Sequence, residues 1–311
     1  MSLLSLSASF PLGAVADSSE FENWLIKGQN ESDHKTRAMD FAKAIGRWTP
    51  PDGGQKLAEA NVALGLELLS YLKEPKESIK YFSEAIRLSP GFGSAYSLRG
   101  TAYGNIHRYE RALRDLQRAR SINPETPFIN RNLCEIYDAM GQVDLALRAC
   151  DVAVNKKEPG AYAVRGHALA DGDRVRDAFA DCDALAGLSN PGFAVADATD
   201  LCRAYAYSKG DEKSRSIQIL GDLARREPNS AIAFLYRGKV LMSRGDDVLA
   251  MSDFNQALAL DTEIVEAYVD RGRLKEKAGK ITDAAQDYGS ACSREWNPGC
   301  AALRHLKKRK S

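Results

Sequence analysis

Apolar and small residues recur at every third or fourth place between Gly93 and Pro124, first as Tyr96, Leu98, Gly100 and Tyr103, then as Ala112, Leu116, Ala119 and Ile122. That spacing predicts two amphipathic helices separated by a short break, a helical hairpin. Gly100, Ala112 and Ala119 are small residues among large ones, and they mark where two antiparallel helices approach closely beside Tyr96, Tyr103 and Leu116. Asn123-Pro124 ends the second helix, because proline cannot extend it and restricts the residue before it. One hairpin cannot bury its own apolar stripe, so the pattern demands neighbours.

The neighbours are present. Small residues take the place of Ala112 at Ser78, Ala146, Ala178, Ser216, Ala250 and Ala284, at successive intervals of 34, 34, 32, 38, 34 and 34 residues. The place of Gly100 is held by Gly65, Cys134, Gly166, Ala204, Gly238 and Gly272, and its aromatic companion by Tyr162, Phe234 and Tyr268. Prolines that read as terminators recur at Pro90, Pro159, Pro191, Pro228 and Pro298. Trp24-Leu-Ile-Lys27-Gly28, followed by Ala38, Ala42, Ile45 and Pro50, repeats the same phrasing in a degenerate form. Such a period means stacked hairpins, an all-α solenoid that grows one unit at a time.

Small, large and proline residues in these places resemble the tetratricopeptide repeat over roughly residues 57 to 298. The resemblance implies a right-handed superhelix of antiparallel helix pairs whose first helices line a concave groove, and that groove usually binds peptides or protein segments. The domain reading is a leader at 1–16, a degenerate unit or cap at 17–54, seven units at 55–298, and a C-terminal capping helix with a basic tail at 299–311. By the same resemblance the groove is lined by Phe128, Arg131, His167, Leu201, Tyr205, Ile232, Leu235, Lys239, Met242 and Arg273. The stretch from Leu201 to Met242 is apolar for residues that should face solvent, which suits an apolar peptide or helix, or a covering segment such as residues 1–18. The Lys and Asn arrangement by which some family members clamp a terminal carboxylate is absent from the matching places, which hold Ser97 and Thr101 or Ala163 and His167.

Two further patterns run through the repeats. The place before the glycine is Arg99, Arg165, Arg203, Arg237 or Arg271, and sixteen residues later stands Asp115, Asp181, Asp253 or Asp287 in all of these units but that of Arg203. Residues so placed around the turn of an antiparallel hairpin face one another, which predicts ion pairs within a unit or with the preceding one. The alternative is solvated charge that repeats with the unit. Arg203, opposite Ile219, needs a different acceptor. The cysteines are Cys134, Cys150, Cys182, Cys202, Cys292 and Cys300, with no CxxC and no zinc spacing, so no metal site is expected. Cys292 and Cys300 read as a disulfide across a short turn or as thiols; the first two pairs read as buried thiols filling helix interfaces or as sequential disulfides.

Charge and chemistry narrow the function. Lys and Arg total 43 against 42 for Asp and Glu, a balance that draws the chain to neither nucleic acid nor an anionic membrane. Nothing reaches the ~18 apolar residues of a spanning helix. No HExxH, P-loop or GxSxG motif occurs, and His34, His107, His167 and His305 stand in separate units, so neither catalysis nor a cofactor is expected. Residues 3 to 16 are uncharged and end in Ala14-Val15-Ala16 ahead of Asp17, with no Lys or Arg before Lys27. They read as a signal peptide of a periplasmic or secreted protein, or as an unstructured tail of a cytoplasmic one. The expected function is a non-catalytic scaffold for a protein or peptide partner. The alternatives are a homo-oligomerisation module and a regulatory subunit of an enzyme complex.

Overall fold

The computed structural model describes residues 18–50, 54–158, 160–188, 195–294 and 296–308. The leader reading of residues 1–16 and the terminator readings of Pro159 and Pro191 lie outside the described residues. Among those described there are seventeen α-helices and no strand, and the chain divides into two units, one up to Thr126 and one from Pro127.

The first unit contains three helix pairs: α1 (Ser18–Asn30) with α2 (His34–Arg47), α3 (Gly54–Ser70) with α4 (Pro75–Leu88), and α5 (Gly93–Asn105) with α6 (Tyr109–Ile122). The second contains five: α7 (Ile129–Ala139) with α8 (Val143–Asn155), α9 (Ala161–Asp171) with α10 (Val175–Ala186), α11 (Val195–Lys209) with α12 (Lys213–Arg226), α13 (Ala231–Arg244) with α14 (Asp247–Leu260), and α15 (Val265–Lys277) with α16 (Ile281–Ser293). A last helix, α17 (Asn297–Lys308), packs on α16 and α15. In each unit the two helices of a pair pack on each other and the second helix of a pair packs on the first helix of the next, which is the all-α solenoid the period predicts. Pro298 is not a terminator. It is the second residue of α17, where its missing N–H removes no helical bond.

The small residues explain the stacking. Ser78, Ala112, Ala146, Ala178, Ser216, Ala250 and Ala284 are all fully buried. A Cβ added at Gly65, Gly100, Gly238 or Gly272 would come within 2.6, 2.9, 2.8 and 2.5 Å of Phe82, Leu116, Phe254 and Tyr288, so glycine lets a large side chain from the second helix lie against the first. Turns between paired helices hold a residue in the left-handed region: Lys73, His107, Gly141, Asp173, Gly245 and Gly279, with φ from 56 to 91°. The amide after each of these reaches back to a carbonyl of the preceding helix, as Arg108 does to Tyr103 and Asp246 to Leu241, closing the helix end.

Between α7 and α11 the complementary large residue is missing, and cysteines stand in its place. Cys134, at the glycine place of α7, is bonded to Cys150 on α8 with Cα atoms 5.1 Å apart. Cys182, at the place held by Phe82, Leu116, Leu220, Phe254 and Tyr288 in other units, is bonded to Cys202 on α11 at 5.7 Å, and the Cys202 sulfur fills the space beside Gly166. Cys292 and Cys300 join α16 to α17 at 4.5 Å. All three pairs are therefore disulfides, and the buried-thiol reading of the first two is corrected. The antiparallel geometry that lets residues 16 apart face each other also brings Cys134 and Cys150 into bonding range.

Opposite charges line the hairpins. Arg99, Arg165, Arg237 and Arg271 each grip the aspartate sixteen residues on, Asp115, Asp181, Asp253 and Asp287, through Nε and one terminal nitrogen at 2.6 to 2.9 Å. Tyr96, Tyr162, Phe234 and Tyr268 place their rings 5.4 to 5.7 Å from the same guanidinium carbons. The remaining nitrogen reaches the preceding hairpin where a side chain exists to meet it: Ser83 for Arg99, Asp151 for Arg165 and Asn255 for Arg271. For Arg237 that place is Gly221. Arg203 pairs with Asp183 of the preceding hairpin at 2.6 Å. In the degenerate first pair Lys27 lies 3.5 Å from the buried Asp40.

Candidate functional site

The surface left over once the stack is satisfied is the inner face of the second unit, built by α7, α9, α11, α13 and α15, on which successive first helices pack side by side. Helical geometry decides which residues reach it. The place three before the glycine lies at the seam between adjacent first helices. Leu235 there is 4% exposed inside a core with Leu241, Phe254 and Ile264; Leu201 is half-buried against Leu220 and Leu223; and Val269 is buried. Met242 also packs on the Leu235 core. The apolar strip expected from Leu201 to Met242 is thus largely interior: Leu235 is corrected from groove to core, and Leu201 and Met242 are half-buried. A purely linear reading cannot separate the seam from the open face, because both lie on the same helix.

The place directly after the glycine lies on the inner face, exposed at Glu135 and Arg273 and half-buried at His167, Tyr205 and Lys239. Along the five inner helices it holds Glu135, His167, Tyr205, Lys239 and Arg273. Phe128, the N-cap of α7 in the left-handed region, and Ile232 on α13 are each 41% exposed. Arg131 sits over the Phe128 ring at 5.3 Å and donates to Asn132 Oδ1 at 2.9 Å, while Glu158 caps α7 by accepting from the Arg131 amide at 2.9 Å and from Asn130 at 3.0 Å.

The centre of this face is aromatic. The His167 ring stacks on Tyr205 with centroids 4.3 Å apart and planes at 12°, and Tyr236 meets both edge-on at 6.3 and 5.9 Å. Tyr205 donates its hydroxyl to Asp171 Oδ1 at 2.7 Å, and Lys209 completes the group, 2.6 Å from Asp171 and 5.2 Å over the Tyr205 ring. Burial depresses the His167 imidazole to about 4, so it is neutral at ordinary pH. Burial, and then the neighbouring charge of Asp171, pushes the Asp138 carboxyl up to about 7 against the pull of Lys209. Tyr236 rises to about 12 through burial and the fields of Glu266, Glu135, Asp138 and Asp171. At the far end, Arg273 donates to Asp270 Oδ1 at 2.7 Å, and Lys239 lies 4.0 Å from the same carboxylate, whose pKa burial raises nonetheless.

Asp138, Asp171, Lys209, Tyr236, Glu266 and Asp270 belong to this face and were not singled out from sequence. A signal existed for three of them: Asp138, Asp171 and Lys209 stand three or four residues after Glu135, His167 and Tyr205, one helical turn further along the same face. Among the described residues no group of three or more His, Cys, Asp or Glu has metal-holding geometry, and no helix is long and apolar enough to cross a membrane.

Models of the tetratricopeptide repeat match residues 58–92 and 202–264, one stretch in each unit. The chain is 27% identical over 216 residues to the DnaJ homolog subfamily C member 7 homolog of Schizosaccharomyces pombe, covering 68% of this chain and 40% of that protein. It is 23% identical over 224 residues to tetratricopeptide repeat protein 13 of Homo sapiens, covering 70% of this chain and 21% of that one. The chain thus spans less than half the length of these curated relatives. A tetratricopeptide repeat protein from Parabacteroides merdae shares the fold with a TM-score of 0.56 at 19% identity, over 80% of this chain and 98% of that one. The recurring period, the buried small residues and these matches agree: the chain carries tetratricopeptide repeats, a repeat that generally mediates protein–protein interactions.

Proposed function

We propose that the chain is a non-catalytic scaffold that holds a segment of another protein against the inner face of α7, α9, α11, α13 and α15. One observation carries the reading. The stacking places repeat with little change from hairpin to hairpin, whereas the open place after the glycine is different in each, Glu135, His167, Tyr205, Lys239 and Arg273. A surface that only needed solvation could repeat like the rest; five unlike side chains on parallel rods make a surface that discriminates among partners. The family's role in protein–protein interaction supports it.

The test is panning of a displayed random-peptide library against the full chain, followed by binding of the enriched peptides to a Tyr236→Ala, Lys239→Ala variant. Enriched peptides should lose at least tenfold in affinity on the variant. Equal binding to both proteins would remove the groove reading.

The three disulfides support a location outside the reducing cytoplasm, since such bonds persist in oxidising compartments. The leader reading of residues 1–16 points the same way. Alkylation and mass measurement of protein taken from its native compartment should find no free thiol; six alkylated cysteines would place it in the cytoplasm.

A further inference from the structure

The binding face reading leaves the chemistry of the bound segment open, and the inference here rests on that reading while narrowing it. Four carboxylates bear on the ring cluster: Asp171 from α9 accepts from Tyr205 at 2.7 Å, and the charges of Glu135 and Asp138 from α7, of Asp171, and of Glu266 from α15 all raise the Tyr236 hydroxyl. The cations among them are Lys209, already engaged by Asp171, and Arg131, bonded to Asn132. Lys239 and Arg273 are turned to Asp270. With Asp270 counted, five carboxylates on this face stand against four cations, Arg131, Lys209, Lys239 and Arg273, an excess of one negative charge when all are ionised. A tyrosine ring has a negative face that attracts a cation, and Lys209 over Tyr205 at 5.2 Å shows that use; with His167 also stacked on Tyr205, Tyr236 is the ring left for a further cation. Asp138 Oδ1 is buried and accepts no hydrogen bond, an acceptor that a donor from outside would satisfy.

We infer that this acidic, aromatic face takes an arginine or lysine side chain of the partner's segment, its charge held by Asp138 and its stem laid on Tyr236. A basic side chain answers each feature at once: the charge excess, the orphaned acceptor and the ring faces. An acidic side chain would face like charge, and an aliphatic one would leave Asp138 unsatisfied. The chain's own first residues do not suit the place, since no Lys or Arg precedes Lys27.

The experiment uses the full chain with its disulfides intact at pH 8, where the Asp138 carboxyl is ionised, and four capped peptides, Gly-Ser-Gly-X-Gly-Ser-Gly with X as Arg, Lys, Glu or Leu, titrated by NMR or calorimetry. The Arg and Lys peptides should saturate at least tenfold more tightly than the Glu and Leu peptides. Asp138→Asn, which keeps size and removes charge, should weaken the Arg peptide at least fivefold, while Arg87→Ala on α4 should leave it unchanged. Tighter binding of the Glu or Leu peptide, unaltered affinity in Asp138→Asn, or no saturable binding of the Arg peptide at millimolar concentration would each overturn the inference. Should the Leu or Glu peptide bind and lose affinity in Tyr236→Ala, Lys239→Ala, the groove reading stands and only the basic-residue inference falls. Panned peptides that ignore that variant remove both.

Discussion

The ion pair between Arg237 and Asp253 offers a quantitative test of how the hairpins are held. Asp253 is the buried member, with its side chain 6% exposed, and Arg237 is 25% exposed. Two charge-assisted hydrogen bonds, at 2.7 and 2.6 Å, join them. Replacing Asp253 by Ala leaves a guanidinium half-buried beside the Phe234 ring, and replacing Arg237 by Met leaves a carboxylate buried without its cation; each should cost about 3 kcal/mol. The double variant removes both charges and should cost no more than either single change, a coupling of about 3 kcal/mol. The pair between Arg203 and Asp183 is the internal control. Its side chains are 38% and 66% exposed, and its coupling should stay below about 1 kcal/mol because solvent screens the attraction. Urea denaturation with amide hydrogen exchange on α13 and α14 measures both cycles, the exchange being needed because stacked repeats can open locally. Equal coupling for the two pairs, or less than about 0.5 kcal/mol at Arg237, would refute the argument that burial makes the ladder matter.

Reduction should act on one unit alone. All six cysteines follow Pro127, and the Cys182–Cys202 bond closes a separation of 20 residues, which corresponds to about 3 kcal/mol of chain entropy; dithiothreitol should lower the protection of α7 to α12 in hydrogen exchange while α1 to α6 keep theirs. Asp173, exposed in the left-handed region with φ 59°, should accept glycine with a gain of about 0.5 kcal/mol, read as a shift in the urea midpoint; a loss would show that its side chain is used. The Asp138 carboxyl keeps its proton up to about pH 7 in the folded chain but ionises from 3.8 when free, so the folded state binds more protons and stability falls as pH rises through that window. Asp138→Asn should therefore stabilise the protein by about 2 kcal/mol at pH 8, allowing for partial solvent access, and by almost nothing at pH 3. Loss of stability at pH 8 would mean the carboxylate is paired after all.

Much of this molecule is legible from residue order alone, because each hairpin is a local object. The interval between Ala112 and Ala146, the glycine facing a large residue sixteen places on, and the Arg–Asp spacing all depend on contacts made within about 34 residues, where helix periodicity and one tight turn leave little freedom. The ion pairs at Arg99 and Arg271 follow from that spacing. What local periodicity cannot state is how one hairpin is rotated on the next. That rotation decides that Leu235 sinks into a seam while Tyr236, its neighbour, reaches the open face. It also gathers Asp138, Asp171, Tyr205 and Glu266 from four different helices around one ring. Side chains so far apart along the chain meet only through the accumulated angles of packing, and those angles come from side-chain volumes interlocking in three dimensions rather than from any repeat of letters.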